Sequence, residues 1–204
     1  MKKLGALLFV LLLLWGFIWV NNNWIQTTEF TIESDKLPEA FDGKKIVQIS
    51  DLHNANFGEG QSSLIEKVEA AKPDAIFLTG DLIDSNRYDL DTSLTLVDAL
   101  VEMSEVYYVL GNHEVAVNKI DEITEALEQR GVHVLMDESM DWEVEGESVQ
   151  IAGINDPLID VQQTEQDFTR NALADAGIDE RFTLLLAHRP EMFSIYVEEE
   201  IDLV

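Results

Sequence analysis

The sequence predicts an α/β fold with layered sheets, and two observations lead to this prediction. Short apolar runs of strand length alternate with segments whose apolar residues recur at helical spacing. Two further runs, 142–144 and 149–152, flank Glu145-Gly146-Glu147, which indicates an antiparallel hairpin. Helices alternating with strands, together with a hairpin, are typical of domains that pack helices against sheets.

The elements follow in order along the chain. Strands are predicted at 24–32, 45–50, 75–78, 106–110, 132–135, 142–144, 149–152 and 182–187. Helices are predicted at 62–71, 91–102, 121–130, 166–174 and 191–198. In the first of these helices Leu64 and Val68 share a face, as Leu94 and Val97 do in the second. Gly131 ends the third helix.

An uncharged apolar run from 4 to 20 follows two lysines at the N-terminus. As a helix it would be about 25 Å long, slightly short of a bilayer core. Three tryptophans cluster toward its far end, where indole rings favour a membrane interface: Trp15, Trp19 and Trp24. No small-residue cleavage site follows, so the sequence predicts an uncleaved anchor rather than a cleaved signal peptide or a buried helix. The lysines would stay in the cytoplasm, which predicts a single-pass cell-membrane protein whose remaining domain is extracytoplasmic.

Composition limits the partners of this domain. The 204 residues carry a formal net charge of −27, a balance that repels nucleic acid, so no nucleic-acid partner is expected. The absence of cysteine excludes disulfides and thiolate metal sites. The expected organisation is an anchor over 1–24, a linker and first strand over 25–43, and one domain over 44–204.

Four short motifs each follow a predicted buried strand directly: Asp51-Leu52-His53, Gly80-Asp81, Gly111-Asn112-His113-Glu114 and Ala187-His188-Arg189-Pro190. Ligands collect outside the carboxyl ends of strands in such folds. The motifs would therefore bring hard oxygen ligands and imidazoles together, a combination typical of two-metal sites that hydrolyse phosphate esters.

The chemistry of each residue type suggests a role. Asp51 and His53, one residue apart on an extended chain, project to the same side and suit one metal ion. The carboxylate of Asp81 can span two ions about 3.5–4 Å apart. The amide oxygen of Asn112 is a neutral, hard ligand, and the imidazole of His113 would protonate the leaving oxygen.

In their order and gaps these motifs resemble the signature of the calcineurin-like metallophosphoesterases, over roughly residues 44–204. The resemblance implies a layered α/β/β/α sandwich with two mostly mixed β-sheets, here preceded by the N-terminal transmembrane helix. It implies five metal ligands, the first two on one ion, the last two on the other and the middle one bridging: Asp51, His53, Asp81, Asn112 and His188. His113 is then the catalytic acid or transition-state donor, and Glu114 lies behind the ligands.

The implied reaction is hydrolysis of phosphate mono- or diesters, or of pyrophosphate bonds, by a hydroxide bridging two divalent metal ions. Mn²⁺ is the expected cofactor, with iron or zinc as alternatives. The expected substrate is a small-molecule or lipid phosphate ester or pyrophosphate. The residues around Asp51 and His188, together with the anchor, look most like a membrane-associated bacterial branch that includes relatives of lipid-sugar pyrophosphatases.

The closing Gly-His-x-His of the family signature is absent from these 204 residues. Three protein ligands per ion would remain, so we expect a C-terminally truncated fragment with weak or no turnover. One alternative is a catalytically silent, membrane-tethered binding domain, which metal content would distinguish. Another is a single-metal hydrolase or dioxygenase with two histidines and one carboxylate, and a bridging carboxylate plus an amide ligand argue against it.

Overall fold

Two β-sheets lie at the centre of the computed structural model, which describes residues 2–204 apart from the side chains of 2, 6, 19 and 21–23. The first sheet has four parallel strands in spatial order: β1 (Ile46–Ile49), β2 (Ala75–Leu78), β3 (Glu105–Tyr108) and β4 (His133–Val134). The second has three, of which the first two are antiparallel and the last two parallel: β5 (Glu138–Val144), β6 (Glu147–Gly153) and β7 (Thr183–Leu186).

Helices connect the strands, and short 3₁₀ turns lie between them. The helices are α1 (Lys2–Asn23), α2 (Ser62–Ala71), α3 (Leu90–Leu100), α4 (Asn112–Val117), α5 (Ile120–Glu128), α6 (Glu165–Asp175) and α7 (Phe193–Glu198). The 3₁₀ turns are Glu39–Phe41, Glu59–Gln61, Pro157–Asp160 and Pro190–Met192. The short helix α4 begins inside the third motif and was not expected from the sequence.

Buried apolar side chains form three clusters that correspond to the layers. Alternate strand residues point to opposite faces, so Ile76 packs toward α3 and α5, whereas Phe77 packs between the sheets. Val149 and Ile151 of the second sheet complete the cluster between the sheets. On the outer face of the second sheet, Leu185 packs with side chains of α6 and α7.

The first sheet corrects the predicted fold class, because all four of its strands are parallel rather than mixed. Each strand is joined to the next through at least one helix, and such crossovers place successive strands side by side in the same direction. Only the second sheet is mixed. Residues 24–32, which were predicted as a first strand, have no regular secondary structure.

The N-terminal prediction is also corrected. The part of the chain that the structure describes contains no helix that combines the length and the apolar character needed to span a bilayer. The physical reason is the short apolar part of α1: the run from 4 to 20 gives about 25 Å of helix, against a hydrocarbon core of about 30 Å, and the rest of α1 is lysine and asparagine. This finding overturns the predicted transmembrane helix and the single-pass cell-membrane location. It also leaves the predicted membrane-associated branch, and the membrane as a partner, without support.

Candidate metal centre

The loops after β1, β2, β3 and β7 meet at one rim of the two sheets. The N–H of Asp51 donates to the carbonyl of Gly80 at 3.1 Å, so the first loop continues the parallel pairing beyond its strand. His188 reaches the same place from the second sheet, with its Nδ1 2.8 Å from the carbonyl oxygen of Thr79. All four motifs therefore lie together, although they are separated by up to 137 positions in the sequence, as from Asp51 to His188.

The carboxylate of Asp81 is buried at the middle of the site. Its Oδ2 lies 3.5 Å from Nε2 of His53, 3.4 Å from Nε2 of His188 and 4.0 Å from Nε2 of His113. The amide Oδ1 of Asn112 lies 3.2 Å from Nε2 of His188. Asp81 thus occupies the position that a ligand shared between two ions requires.

Two groups of three residues each place one ligand atom within 4.8 Å of the others, and both groups contain Asp81. One group is Asp81 with His53 and His113, and the other is Asp81 with Asp51 and His188. The sequence assigned Asp51 and His53 to one ion; the two residues fall into different groups, although Nε2 of His53 lies 3.5 Å from Oδ1 of Asp51. The assignment of each residue to a particular ion stays a prediction.

The hydrogen-bond partners of Nδ1 indicate opposite tautomers for His188 and His113 when the rings are neutral. The carbonyl of Thr79 can only accept, so Nδ1 of His188 carries a hydrogen and, in the neutral ring, Nε2 presents a lone pair to the centre. The backbone N–H of Ser85 can only donate and lies 3.0 Å from Nδ1 of His113. Nε2 of neutral His113 therefore carries the hydrogen. Of the two rings, His188 suits a metal ligand and His113 a hydrogen-bond donor.

Asp81 and His188 form a largely buried charged pair. Burial acts to raise the pKa of Asp81, but hydrogen bonds from His188 and from the backbone N–H of His113 outweigh it, and this pKa is lowered. Burial acts to lower the pKa of His188, but Asp81, the Thr79 carbonyl and the charge of Asp51 raise it to about 9. A bound cation would take the place of the proton on His188.

The backbone is strained at three of the predicted ligands. Asp51, His53 and Asp81 have φ values of 55°, 48° and 52°, in the left-handed region that residues with a Cβ avoid. Each such residue costs about 1–3 kcal/mol and keeps this conformation only because its surroundings hold it in place. The three residues lie in the loops that bring the ligand atoms together. The backbone strain is therefore located at the site itself.

Glu114 holds two of these loops in place. It is fully buried, and its carboxylate accepts hydrogen bonds from the backbone N–H groups of Asp81 at 2.9 Å, Ile83 at 3.1 Å and Gly111 at 2.9 Å. Burial and the charge of Asp81 raise the pKa of Glu114, against the three hydrogen bonds that lower it. The loop after β2 is thus fastened to the start of α4.

We expect Glu114→Gln to destabilise the protein and to weaken metal binding together. The amide offers one acceptor oxygen where the carboxylate offers two, and it turns an N–H toward backbone donors. Each buried donor left without a partner costs about 1–3 kcal/mol. Urea unfolding and calorimetric Mn²⁺ titration measure the two effects. The exposed Glu128 on α5 provides the matched control Glu128→Gln, and equal stability of the two variants would contradict this role.

Sequence reasoning missed two groups that orient the histidines, the carbonyl of Thr79 and the N–H of Ser85. Both are main-chain groups, which do not depend on the type of side chain, so no side-chain pattern could have indicated them. The remaining histidine, His133, lies on β4 with its ring stacked on Tyr107 at 5.0 Å between centroids.

Comparison with known proteins agrees with this geometry. Residues 44–195 match the family model described as calcineurin-like phosphoesterase. Uncharacterized metallophosphoesterases of Campylobacter jejuni and Aquifex aeolicus are 28% and 29% identical over 189 residues, covering 90% and 91% of this chain and 48% and 70% of the relatives. A relative from Bacillus subtilis is 28% identical over 173 residues, or 82% of this chain and 58% of the relative. The chain thus spans about half the length of the Campylobacter relative.

A solved structure also shares the fold. The crystal structure of the phosphopantetheinyl hydrolase of Mycobacterium tuberculosis aligns with a TM-score of 0.53, covering 76% of this chain and 71% of that one. The two sequences are 16% identical over this alignment, so the likeness concerns the fold alone.

Proposed function

The chain belongs to the calcineurin-like phosphoesterase family, and we propose that it hydrolyses phosphate esters or pyrophosphate bonds at the Asp81 centre with two divalent metal ions. The observation that supports this proposal most is the shared position of Asp81 in two groups of ligand atoms. Phosphate monoesters, diesters and pyrophosphates all present a tetrahedral phosphorus to such a site, so the proposal includes all three.

The donor atoms suit hard or borderline divalent cations. We assign the ions to two carboxylates, one amide oxygen and two imidazoles: Asp51, Asp81, Asn112, His53 and His188. Oxygen and imidazole donors suit Mn²⁺, which we propose as the cofactor, and also iron or zinc. When bound, two such ions lower the pKa of a water molecule and neutralise phosphoryl oxygens. Without cations, the carboxylates of the site would repel an anionic substrate.

His113 is the residue that we propose as catalytic acid. Its Nε2–H faces the centre because the backbone N–H of Ser85 occupies Nδ1, with the Ser85 hydroxyl a further 3.3 Å contact there. From this position the ring donates to the oxygen that leaves phosphorus. The backbone N–H of His113 donates to Oδ1 of Asp81 at 2.8 Å, which fixes the start of α4 relative to the shared carboxylate.

Chelation tests the proposal directly. Exhaustive EDTA treatment should reduce hydrolysis of p-nitrophenyl phosphate and bis(p-nitrophenyl) phosphate by at least about 100-fold, and Mn²⁺ should restore it. His113→Asn should keep two ions per chain, measured by elemental analysis, while kcat falls by about 10²–10⁴-fold. Full activity after EDTA would contradict the metal-dependent mechanism. Two bound ions without hydrolysis by the wild type would support the silent binding domain instead.

A further inference from the structure

Most exposed large apolar side chains lie in the N-terminal segment 4–32, and the few others are concentrated in three loops. Among residues 33–204, all of which the structure describes, seven large apolar side chains are exposed. Five of them lie between the carboxyl end of β4, β6 or β7 and the start of the next helix or strand, on the edge of the sheets from which the loops of the candidate metal centre also leave: Met136, Leu158, Ile159, Val161 and Phe193. We call these five residues the apolar wall. In a chain of net charge −27, such a grouping at the mouth of a polar site needs an explanation.

Buried polar contacts join the three segments that carry the apolar wall. Asp137 accepts hydrogen bonds from the backbone N–H and the side-chain amide of Asn155, both at 2.8 Å. Asp156, which is 1% exposed, receives Nε of Arg189 at 2.6 Å and Nη2 at 2.9 Å. The hydroxyl of Tyr196 on α7 donates to the carbonyl of Arg189 at 3.0 Å. The three segments are therefore held together, and each carries at least one exposed apolar side chain of the wall.

The apolar wall adjoins the catalytic residues through α4. The 3₁₀ turn Pro157–Asp160, which carries Leu158 and Ile159, packs against α4, the helix that begins with Asn112 and His113. On the other side of the centre, the loop after β2 is polar. There Arg87 is largely exposed and its Nη2 lies 2.9 Å from Asp84. The two sides of the site thus offer different chemistry to the parts of a substrate that lie beyond the reacting phosphate.

We propose that the apolar wall binds an alkyl or aryl group esterified to the reacting phosphate. The substrates would then be phosphate esters of apolar alcohols. This inference rests on the proposed function, because the occupant is part of the substrate. The observation that carries it is that the turn with Leu158 and Ile159 packs against α4, so a group attached to a phosphate near His113 has apolar side chains within reach. Removing apolar surface from water favours binding in proportion to the area covered.

Alkylphosphonates with methyl, butyl, hexyl and octyl chains test the proposal, because they are not hydrolysed and differ only in the apolar group. Their affinities are measured by calorimetry on the Mn²⁺-loaded chain and as inhibition of p-nitrophenyl phosphate hydrolysis. We expect affinity to rise about two- to fourfold per methylene while the chain contacts the wall. In Leu158→Ser/Val161→Ser the octyl-to-methyl affinity ratio should fall about tenfold. Val10→Ser/Val20→Ser is the matched control, since both valines are exposed on α1, outside the three segments that carry the apolar wall.

The outcomes separate this inference from the proposed function. Hydrolysis with no dependence on chain length would overturn the apolar wall and leave the hydrolase. Chain-length dependence without hydrolysis would keep the wall and overturn the hydrolase. If the double variant keeps the full octyl-to-methyl ratio, the wall is refuted. A change of oligomeric state in the double variant, measured by light scattering with the ratio unchanged, would assign the surface to contacts between copies of the chain instead.

Discussion

Asp81→Asn should abolish binding of both metal ions and reduce hydrolysis by at least about 100-fold. Changes to groups that merely orient metal ligands already cost about 10- to 100-fold, and Asp81 belongs to both groups of ligand atoms. The substitution keeps the shape of the side chain but removes the charge that two cations would share. Elemental analysis counts the ions, and p-nitrophenyl phosphate measures the rate. Asp175→Asn, at an exposed position of α6, is the control. Two ions retained in Asp81→Asn would refute the shared-ligand role.

The same substitution should remove a pH dependence of stability in the metal-free protein. The pKa of His188 is raised to about 9 chiefly through Asp81, against an ordinary value of 6.5. A raised pKa in the folded state contributes stability that is complete below pH 6.5 and is lost as the pH rises through about 9. The wild type in EDTA should therefore lose of the order of 3 kcal/mol of unfolding free energy between pH 6 and 9.5, and Asp81→Asn much less. Parallel losses in both proteins would contradict the coupling.

The positions of the functional residues could be predicted from the sequence because each follows a strand. The predicted strand at 75–78 coincides with β2, and it ends one residue before Thr79, whose carbonyl orients His188. Periodicity also located α2 and α3 to within a few residues. Sequence order alone then placed the motifs at the carboxyl ends of the strands, where loops converge.

The arrangement within the site could not be predicted, because it depends on tertiary contacts. Nothing in an Asp-x-His spacing says that Asp51 lies within reach of both His53 and His188, since Asp51 and His53 adopt left-handed backbone that a spacing argument assumes to be extended. The roles proposed for His113 and His188 likewise rest on a single main-chain partner each. The direction of the first sheet was open to prediction, since strands joined by helices are parallel as a rule.

Gly111→Ala should disrupt the centre as severely as loss of a ligand. Gly111 has φ −102°, which any residue adopts, so its conformation does not require glycine. Space does require it: a Cβ at this position would lie closer than 3.0 Å to the backbone nitrogen and to Oδ1 of Asp81. The added methyl group must therefore displace the shared carboxylate. We expect at least about 100-fold weaker Mn²⁺ binding and a loss of about 1–3 kcal/mol of unfolding free energy from overpacking.

Gly146→Ala separates crowding from backbone strain. Gly146 lies in the β5–β6 turn with φ +88°, and no atom lies within 4 Å of the place that an added methyl group would take, so alanine there is strained but not crowded. It should cost about 1–2 kcal/mol of stability and leave Mn²⁺ affinity unchanged, because the turn does not touch Asp81. Similar stability losses in the two variants, with metal binding lost only in Gly111→Ala, would show that contact with Asp81 matters rather than general destabilisation. Undiminished Mn²⁺ binding in Gly111→Ala would mean that the carboxylate tolerates displacement, and the close approach of the two loops would then have no part in holding the metal ions.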